Sequence, residues 1–511
     1  MVSIIYSGAI NGIGGYLVTV EVDMAEGLPC IDLVGFLGSE VKESAGRIRV
    51  ALKNSGYHIP ARRFTVNLSP AGIRKGGSAF DLPIALGIIN AMGKEQTLSH
   101  KIFAVGELGL DGTVRGIRGL LPLLMEAKEQ GIGFCIIPRD NEEEGSYIKG
   151  IQIMPVTHLS EAVEALDTLQ MTGGFEQTTK IEKKIPVRQK EKITDFSEII
   201  GQAAAKRAAE IAAAGFHNLL LVGPPGTGKS MIASAMPGIL PPMEEREMFE
   251  TSRIYSVAGL LNEKRPFVTK RPFLNPHSTI TPQALAGGGG IPRPGILSLA
   301  HHGVLFLDEL PEFKRQNLEL LRQPLEERNI TIVRKSGSFT YPCDFMLVGA
   351  MNPCPCGYYP DRNKCRCSER EVQKYRGRIS GPLLDRIDLS VGVFRSSLKQ
   401  MQADSGEESS ESIGNRVMRA RKIQIGRNKK GVFNGRLSPK ELLPICDLTK
   451  EAKKAVEQFY AEASLSLRAY HRLLRIARTI GDLEGSRRVE EKHIYEAAAY
   501  RVYSDFDKNI M

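Results

Sequence analysis

The chain has 511 residues, 42% hydrophobic and 25% charged, an ordinary globular balance too long for one core, so about two to four domains are expected. Sixty-eight Lys+Arg against 58 Asp+Glu give a formal charge of +10, a modest excess that suits an anionic partner, while zero Trp and 6% aromatics argue against a surface that stacks on bases. No run approaches the ~18 consecutive apolar residues of a membrane span, and the stretch Met1 to Tyr6 has no secretory signature. Eight cysteines are too sparse for a disulfide scaffold, so a cytoplasmic, reduced chain is expected.

Residues 1–170 read as one α/β domain. Tyr16 to Val22 alternates like a half-buried strand, and short apolar strands follow at Ile31–Val34, Phe64–Leu68, Phe103–Val105 and Phe134–Ile137. Helical spacing occupies Val41–Asn54 and Leu82–Ala91. Residues 171–192 are polar, aperiodic and lysine-rich, the composition of a linker.

A second α/β unit spans 193–400, with strands expected at Leu219–Val222, Val304–Leu307, Phe345–Gly349 and Ile387–Val393. The first strand runs into Gly223-Pro224-Pro225-Gly226-Thr227-Gly228-Lys229-Ser230, the phosphate-loop pattern, and a helix follows. Glycines let backbone N–H groups wrap phosphates, Lys229 meets the β/γ oxygens of ATP, and Ser230 ligates Mg²⁺. The second strand delivers Asp308 and Glu309 to its carboxyl end, where ligands bind in such sheets. Asp308 suits the Mg²⁺ shell and Glu309 suits polarisation of the attacking water. Asn352, at the end of the third strand, is placed to orient that water. Arg386, just before the last strand, suits a finger reaching a neighbouring subunit's γ-phosphate.

Between these motifs, residues 330–340 read as a hairpin with Arg334 and Lys335 at its turn. Cys354, Cys356, Cys365 and Cys367 form a Cys-x-Cys…Cys-x-Cys array, enough thiolates for a closed structural Zn²⁺ shell. Arg370, Lys374, Arg376 and Arg378 flank it, and the run 416–430 carries seven basic residues with no acid. For each basic patch a solvated face and a DNA contact are both open readings, with the hairpin the preferred DNA contact. Residues 401–511 read as a helical end domain, with a capping box at Ser438-Pro439-Lys440-Glu441. Ser466 caps a further helix whose apolar face holds Leu467, Tyr470, Leu474 and Ala477, and Arg468 lies in its first turn.

Taken together, these motifs resemble the AAA+ ATPases of the magnesium-chelatase-like, helix-2-insert branch, and within it the ComM/YifB family. The likeness runs end to end. It rests on Val41-Lys42-Glu43-Ser44, Phe80-Asp81-Leu82-Pro83, Gly288 to Gly295, Leu299-Ala300-His301-His302-Gly303, Leu310-Pro311-Glu312-Phe313, Asn352-Pro353-Cys354-Pro355-Cys356-Gly357 and Arg468-Ala469-Tyr470-His471-Arg472. Ile296 departs from the Glu expected there. The resemblance implies an α/β multidomain chain: an S5/Lon-protease-like domain, an AAA+ P-loop motor and a C-terminal helical lid. It further implies a homo-hexameric ring with Asn352 as sensor 1, Arg386 as trans finger, Arg468 as sensor 2 and a pore-lining hairpin. The work implied is branch migration or helicase-type translocation on branched or duplex DNA, in homologous recombination and natural transformation.

The segment Lys75-Gly76-Gly77-Ser78-Ala79 resembles the one that carries the catalytic serine of Lon, with Ser78 at that place. The position expected for Lon's lysine reads Leu121, which leaves Lys128 as a displaced candidate base. A serine without its base is a weak nucleophile, so the first domain is expected to be a non-proteolytic scaffold. Two alternatives remain: a chelatase-like ATPase remodelling a protein or metallo-tetrapyrrole partner, and a Lon-type peptidase. The Lon-like domain and the cysteine array weigh against the first of them.

Overall fold

The computed structural model describes residues 2–93, 98–175, 194–262, 264–290, 292–334, 337–395, 406–462 and 465–500. The first domain is built on a seven-stranded mixed sheet in the order Cys30–Val34, Arg63–Ser69, Gly14–Ala25, Ser3–Asn11, Ile102–Ala104, Phe134–Pro138, Gln152–Val156. Gly14–Ala25 is longer than its alternation alone suggests because it pairs antiparallel on both edges, with Ser3–Asn11 and with Arg63–Ser69. Its Val18, Val20 and Val22 point into one core with helices Ser39–Asn54 and Asp81–Met92. Met171 and Thr172 end the helix Leu159–Thr172, and Phe175 is buried in the same core, so the linker starts later than residue 171. The rest of the expected linker, 176–192, lies outside the described residues.

The second unit holds a five-stranded, all-parallel sheet in the order Phe273–Leu274, Val304–Leu307, Met346–Met351, Leu219–Val222, Leu389–Gly392. Buried on both faces, its strands read as continuous apolar runs, as parallel strands do. Leu219–Val222 sits between the third and last strands of the unit, so chain order reverses beside it and a crevice opens at the strands' carboxyl ends. Two antiparallel ribbons decorate the sheet. One pairs Gly287–Gly288 with Arg293–Pro294, and the other is the expected hairpin, Asn329–Arg334 with Gly337–Pro342.

The end domain is helical, with Ser438 and Glu441 forming their capping box and Ser466 Oγ accepting from the Ala469 N–H at 3.2 Å. Leu474 and Ala477 are buried as the periodicity predicts and Tyr470 packs partly on the same core, but Leu467, in the first turn of its helix, is 68% exposed. One continuous apolar core runs from Phe196 through the sheet's helices to Tyr500, so the helical end packs directly on the nucleotide-binding unit. A fully buried Arg478 is held inside it by Asp482, which also pairs with Arg427 at 2.6 Å.

The first domain docks on the second unit through helix Glu245–Ala258 and through Phe267. The Gly119 N–H donates to Ser256 O at 3.0 Å, Arg253 Nη2 donates to Ile13 O at 3.2 Å, and the Tyr147 and Phe267 rings stack at 4.6 Å. Ser256 Oγ donates to buried Glu144, whose other bonds come from the Leu121 N–H and Asn141. Burial pushes the Glu144 carboxyl up from its ordinary value.

Candidate nucleotide site and its arginine and cysteine neighbours

The loop 223–230 leaves the central strand through Gly223, whose N–H donates to Met351 O of the neighbouring strand at 3.1 Å. A Cβ at Gly223 would stand 2.0 Å from Val393 O, so only glycine allows this approach. Lys229 is buried at the start of helix Lys229–Ile239 and directs its ammonium to Gly223 O at 2.7 Å, Pro224 O at 2.8 Å and Asn352 Oδ1 at 3.2 Å. Those are the three donors an ammonium has. Burial lowers its pKa, and the nearby Asp308 and Glu309 oppose that shift. Ser230 Oγ donates to Asp308 Oδ2 at 2.7 Å, so two oxygens suited to Mg²⁺ lie side by side.

The structure thus brings Lys229, Ser230, Asp308 and Asn352 together at the crevice. Glu309 adopts φ 50° and ψ 48°, a left-handed conformation unusual for glutamate, and its N–H donates to Asp308 Oδ1 at 2.9 Å. Strand Val304–Leu307 ends before both acids, and the chain turns at Glu309.

Arg386 and Arg468 lie elsewhere. Among the described residues no hydrogen bond or ion pair joins either of them to the phosphate loop. Both pair with the same carboxylate, that of Glu326. Arg386 is mostly buried, donates from Nη1 to Pro382 O at 2.6 Å, and keeps a buried Nε with no hydrogen-bond partner. Hydrogen bonds from Arg386, with the charge of both guanidiniums, hold the Glu326 carboxyl below its usual value. Glu326 had no sequence signal, being one of two adjacent glutamates in a short helix, Arg322–Glu327.

The hairpin buries Ile330, Ile332 and Tyr341 at its base and exposes Val333 and Arg334 at its tip. Lys335 lies outside the described residues. Of the other basic candidates, Arg370 and Lys374 are exposed, while several more turn out to be intramolecular ties. Arg376 is buried and donates to Pro353 O at 3.1 Å, and Arg378 pairs with Glu312 at 2.8 Å. In the run 416–430, Arg416 binds Glu210 and Glu408, Arg421 lies 3.8 Å over the Phe433 ring, and Arg427 pairs with Asp482. Arg419, Lys422, Lys429 and Lys430 remain exposed. Charge runs do not reveal their partners, which lie far along the chain.

The four cysteines 354, 356, 365 and 367 are free thiols whose sulfurs all lie within 4.8 Å of one another. In the first domain, Ser78 Oγ donates to Glu107. Leu121 is fully buried in the docking core, its N–H accepted by Glu144 at 3.0 Å, and Lys128 sits in the last turn of its helix beside Gly150. An unpaired lysine in place of Leu121 would bury a charge at a cost of several kcal/mol.

Three family models cover most of the chain. "Subunit ChlI of Mg-chelatase" matches residues 20–141, "Magnesium chelatase, subunit ChlI" matches 195–401, and its C-terminal model matches 407–501. Over 508 residues the chain is 42% identical to the competence protein ComM of Haemophilus influenzae, covering 98% of this chain and 97% of that protein. The chain belongs to the ComM/YifB family of magnesium-chelatase-like AAA+ ATPases. The YifB protein of Escherichia coli is a further member, 39% identical over 509 residues, with 98% of this chain and 97% of that protein covered. The Lon protease of Endomicrobium trichonymphae is 26% identical over 163 residues, 30% of this chain and 20% of that enzyme. A chelatase-subunit model also matches the first domain, so that domain no longer weighs against a chelatase-like role. No helix among the described residues is long and apolar enough to cross a membrane.

Proposed function

We propose that the chain is the subunit of a homo-hexameric ring motor of the helix-2-insert branch that couples ATP hydrolysis to movement on DNA. The work is branch migration or helicase-type translocation in homologous recombination and natural transformation, in the cytoplasm. The observation that carries the proposal is the hairpin's place in the chain. It lies between strand Val304–Leu307, which leads into Glu309, and strand Met346–Met351, which leads into Asn352. A displacement at the γ-phosphate therefore reaches an exposed basic tip from two sides, through helices Arg315–Leu320 and Arg322–Glu327 on one and through strand Met346–Met351 on the other. Support for DNA as the track also comes from end-to-end likeness to a relative named for competence.

In this reading Gly223 to Ser230 cradle ATP, and Ser230 and Asp308 hold Mg²⁺, which neutralises charge on the phosphates. Glu309 takes the proton of the attacking water and Asn352, fixed by Lys229, orients it. Arg386 acts on the neighbouring subunit's γ-phosphate, where a trans arginine contributes about 10³–10⁵ in rate. Arg468 serves as sensor 2 on the same face, since both arginines share Glu326. Arg334 and Lys335 touch DNA phosphates, the four cysteines hold structural Zn²⁺, and the first domain is a non-proteolytic scaffold.

The test is DNA binding and DNA-stimulated ATPase by the ATP-bound ring. Log affinity should fall with log salt by about 0.9 for each phosphate neutralised on duplex DNA. Undetectable or salt-insensitive binding would overturn the DNA reading. The second reading, a chelatase-like ATPase remodelling a protein or metallo-tetrapyrrole partner, is favoured by the family-model descriptions. ATPase stimulated by a chelatase partner and indifferent to DNA would establish it.

A further inference from the structure

The cysteine loop begins two residues after Asn352, and it does not hang free. Cys354 Sγ lies 3.4 Å from Cys356 Sγ and 3.8 Å from Cys365 Sγ, and Cys356 Sγ lies 3.6 Å from Cys365 Sγ. A tetrahedron of sulfurs around Zn²⁺, with Zn–S near 2.3 Å, has edges of about 3.8 Å. The sulfurs are thus spaced for one ion and too far apart for disulfides, which need about 2.05 Å. Cys354 and Cys365 are buried against Val372, and the Tyr359 N–H donates to Cys354 Sγ at 3.4 Å. Arg362 Nη1 donates to Cys367 O at 2.9 Å, which brings positive charge to what would be an anionic centre.

The same loop rests on the nucleotide site at two points. Gly357, at φ 86°, approaches the phosphate loop so closely that a Cβ would stand 2.5 Å from Pro225 Cδ and 3.8 Å from Asn352 Cγ. On the other side, Arg376 donates to Pro353 O and lies 5.1 Å from the Tyr359 ring, tying the Asn352–Cys354 backbone to helix Glu369–Arg376.

We propose that Cys354, Cys356, Cys365 and Cys367 bind one Zn²⁺ as a closed four-thiolate site, and that the metal knot is the strut that sets Pro225 and Asn352, so that nucleotide affinity depends on bound metal. Binding releases the thiol protons and leaves no open coordination position, so the metal takes no part in hydrolysis. Its effect is mechanical. Without it the four sulfurs are no longer tied to one another, the loop 354–367 is left to its turns, its N–H···S contact and the peripheral contacts of Arg362 and Arg376, and the face that Gly357 presents to Pro225 loses its central support. The proposal rests on residues 223–230 being the ATP site and is independent of what the motor acts on.

The full-length chain tests it without DNA. Elemental analysis and native mass spectrometry should find one zinc per chain, and Co²⁺ exchange should give the thiolate charge-transfer and tetrahedral d–d bands. Removing the metal with a thiol-reactive mercurial and a chelator should weaken binding of a fluorescent ATP analogue at least tenfold, ~1.4 kcal/mol, with recovery on adding Zn²⁺. Gly357→Ala separates support from folding: it should keep its zinc and its secondary structure while losing nucleotide affinity. Substoichiometric metal overturns the zinc site. Unchanged nucleotide affinity in a metal-free, folded chain overturns the coupling. If the stripped chain unfolds, zinc-loaded Gly357→Ala with native affinity does the same.

Discussion

At the scale of single residues, the most informative one is a glutamate that no motif contains. Glu326 pairs with both Arg386 and Arg468, while the Arg386 Nε stays buried without a partner. On the proposed reading that both arginines engage a γ-phosphate, a carboxylate shared by the two guanidiniums competes with that phosphate for them. Glu326→Gln removes the competing charge and should lower the apparent KM for ATP several-fold in the assembled ring. A raised KM in steady-state assays would instead mean that Glu326 aims the arginines at the phosphate. The neighbours Lys229, Ser230, Asp308 and Asn352 were legible because each sits in or next to a contiguous motif at the end of an apolar strand. Glu326 was not, because its partners are 60 and 142 positions away in sequence and an isolated Glu-Glu pair is unremarkable on a helix.

At the scale of elements, helix Glu245–Ala258 links the first domain to the acid strand. One of its faces carries Arg253 and Ser256 to the docking surface, and Glu250 meets His301 and His302 just before Val304–Leu307. The His301 Nδ1 accepts the Asp344 N–H at 3.0 Å, which leaves the proton on Nε2, facing Glu250. That tautomer has no lone pair for a metal at Nε2, so the trio is a hydrogen-bonded joint. Glu247, Asp344, Arg271 and Arg246 are the charged groups around it. Burial lowers the His301 pKa from 6.5, so its contribution to stability is complete above pH 6.5 and falls as the unfolded chain takes up the proton below that. Hydrogen bonds from His301 and His302 hold the Glu250 carboxyl well below 4.5, and its contribution fades only as pH falls below 4.5. The melting temperature should therefore decline in two windows. His301→Gln should flatten the one that opens below pH 6.5 in a pH series of thermal melts, and an unchanged profile would contradict the assignment. The element itself was invisible in sequence, since its docking face mixes Arg253 and Ser256 with Met248 and Phe249 and its partners lie in the first domain. The hairpin was legible from its alternation, whereas the arginines of helix Ser410–Arg427 were not, because their acids come from distant segments.

At the scale of the whole molecule, domain order followed from composition and motif spacing, but the extent of fusion between parts did not. One core runs from Phe196 to Tyr500, and buried pairs such as Arg436–Asp344 at 2.7 Å stitch the helical end to the sheet. The helical end is therefore fused to the nucleotide unit through a shared core, and Glu326 joins Arg468 to Arg386. If Arg386 serves a neighbour's site, inactive Arg386→Ala and Lys229→Ala chains should complement each other. A mixed ring should recover part of the ATPase that neither variant has alone, and no recovery at any mixing ratio would place Arg386 outside the neighbour's site. The measurement that tests the central claim most directly is branch migration on a synthetic four-way junction with ATP, run beside Glu309→Gln. The account predicts ATP-dependent conversion by the native ring, and junction and nucleotide binding without conversion by Glu309→Gln, whose amide cannot take the water's proton. Native ring that binds and hydrolyses ATP yet leaves forks and junctions unchanged, or Glu309→Gln that converts them as well, would contradict it.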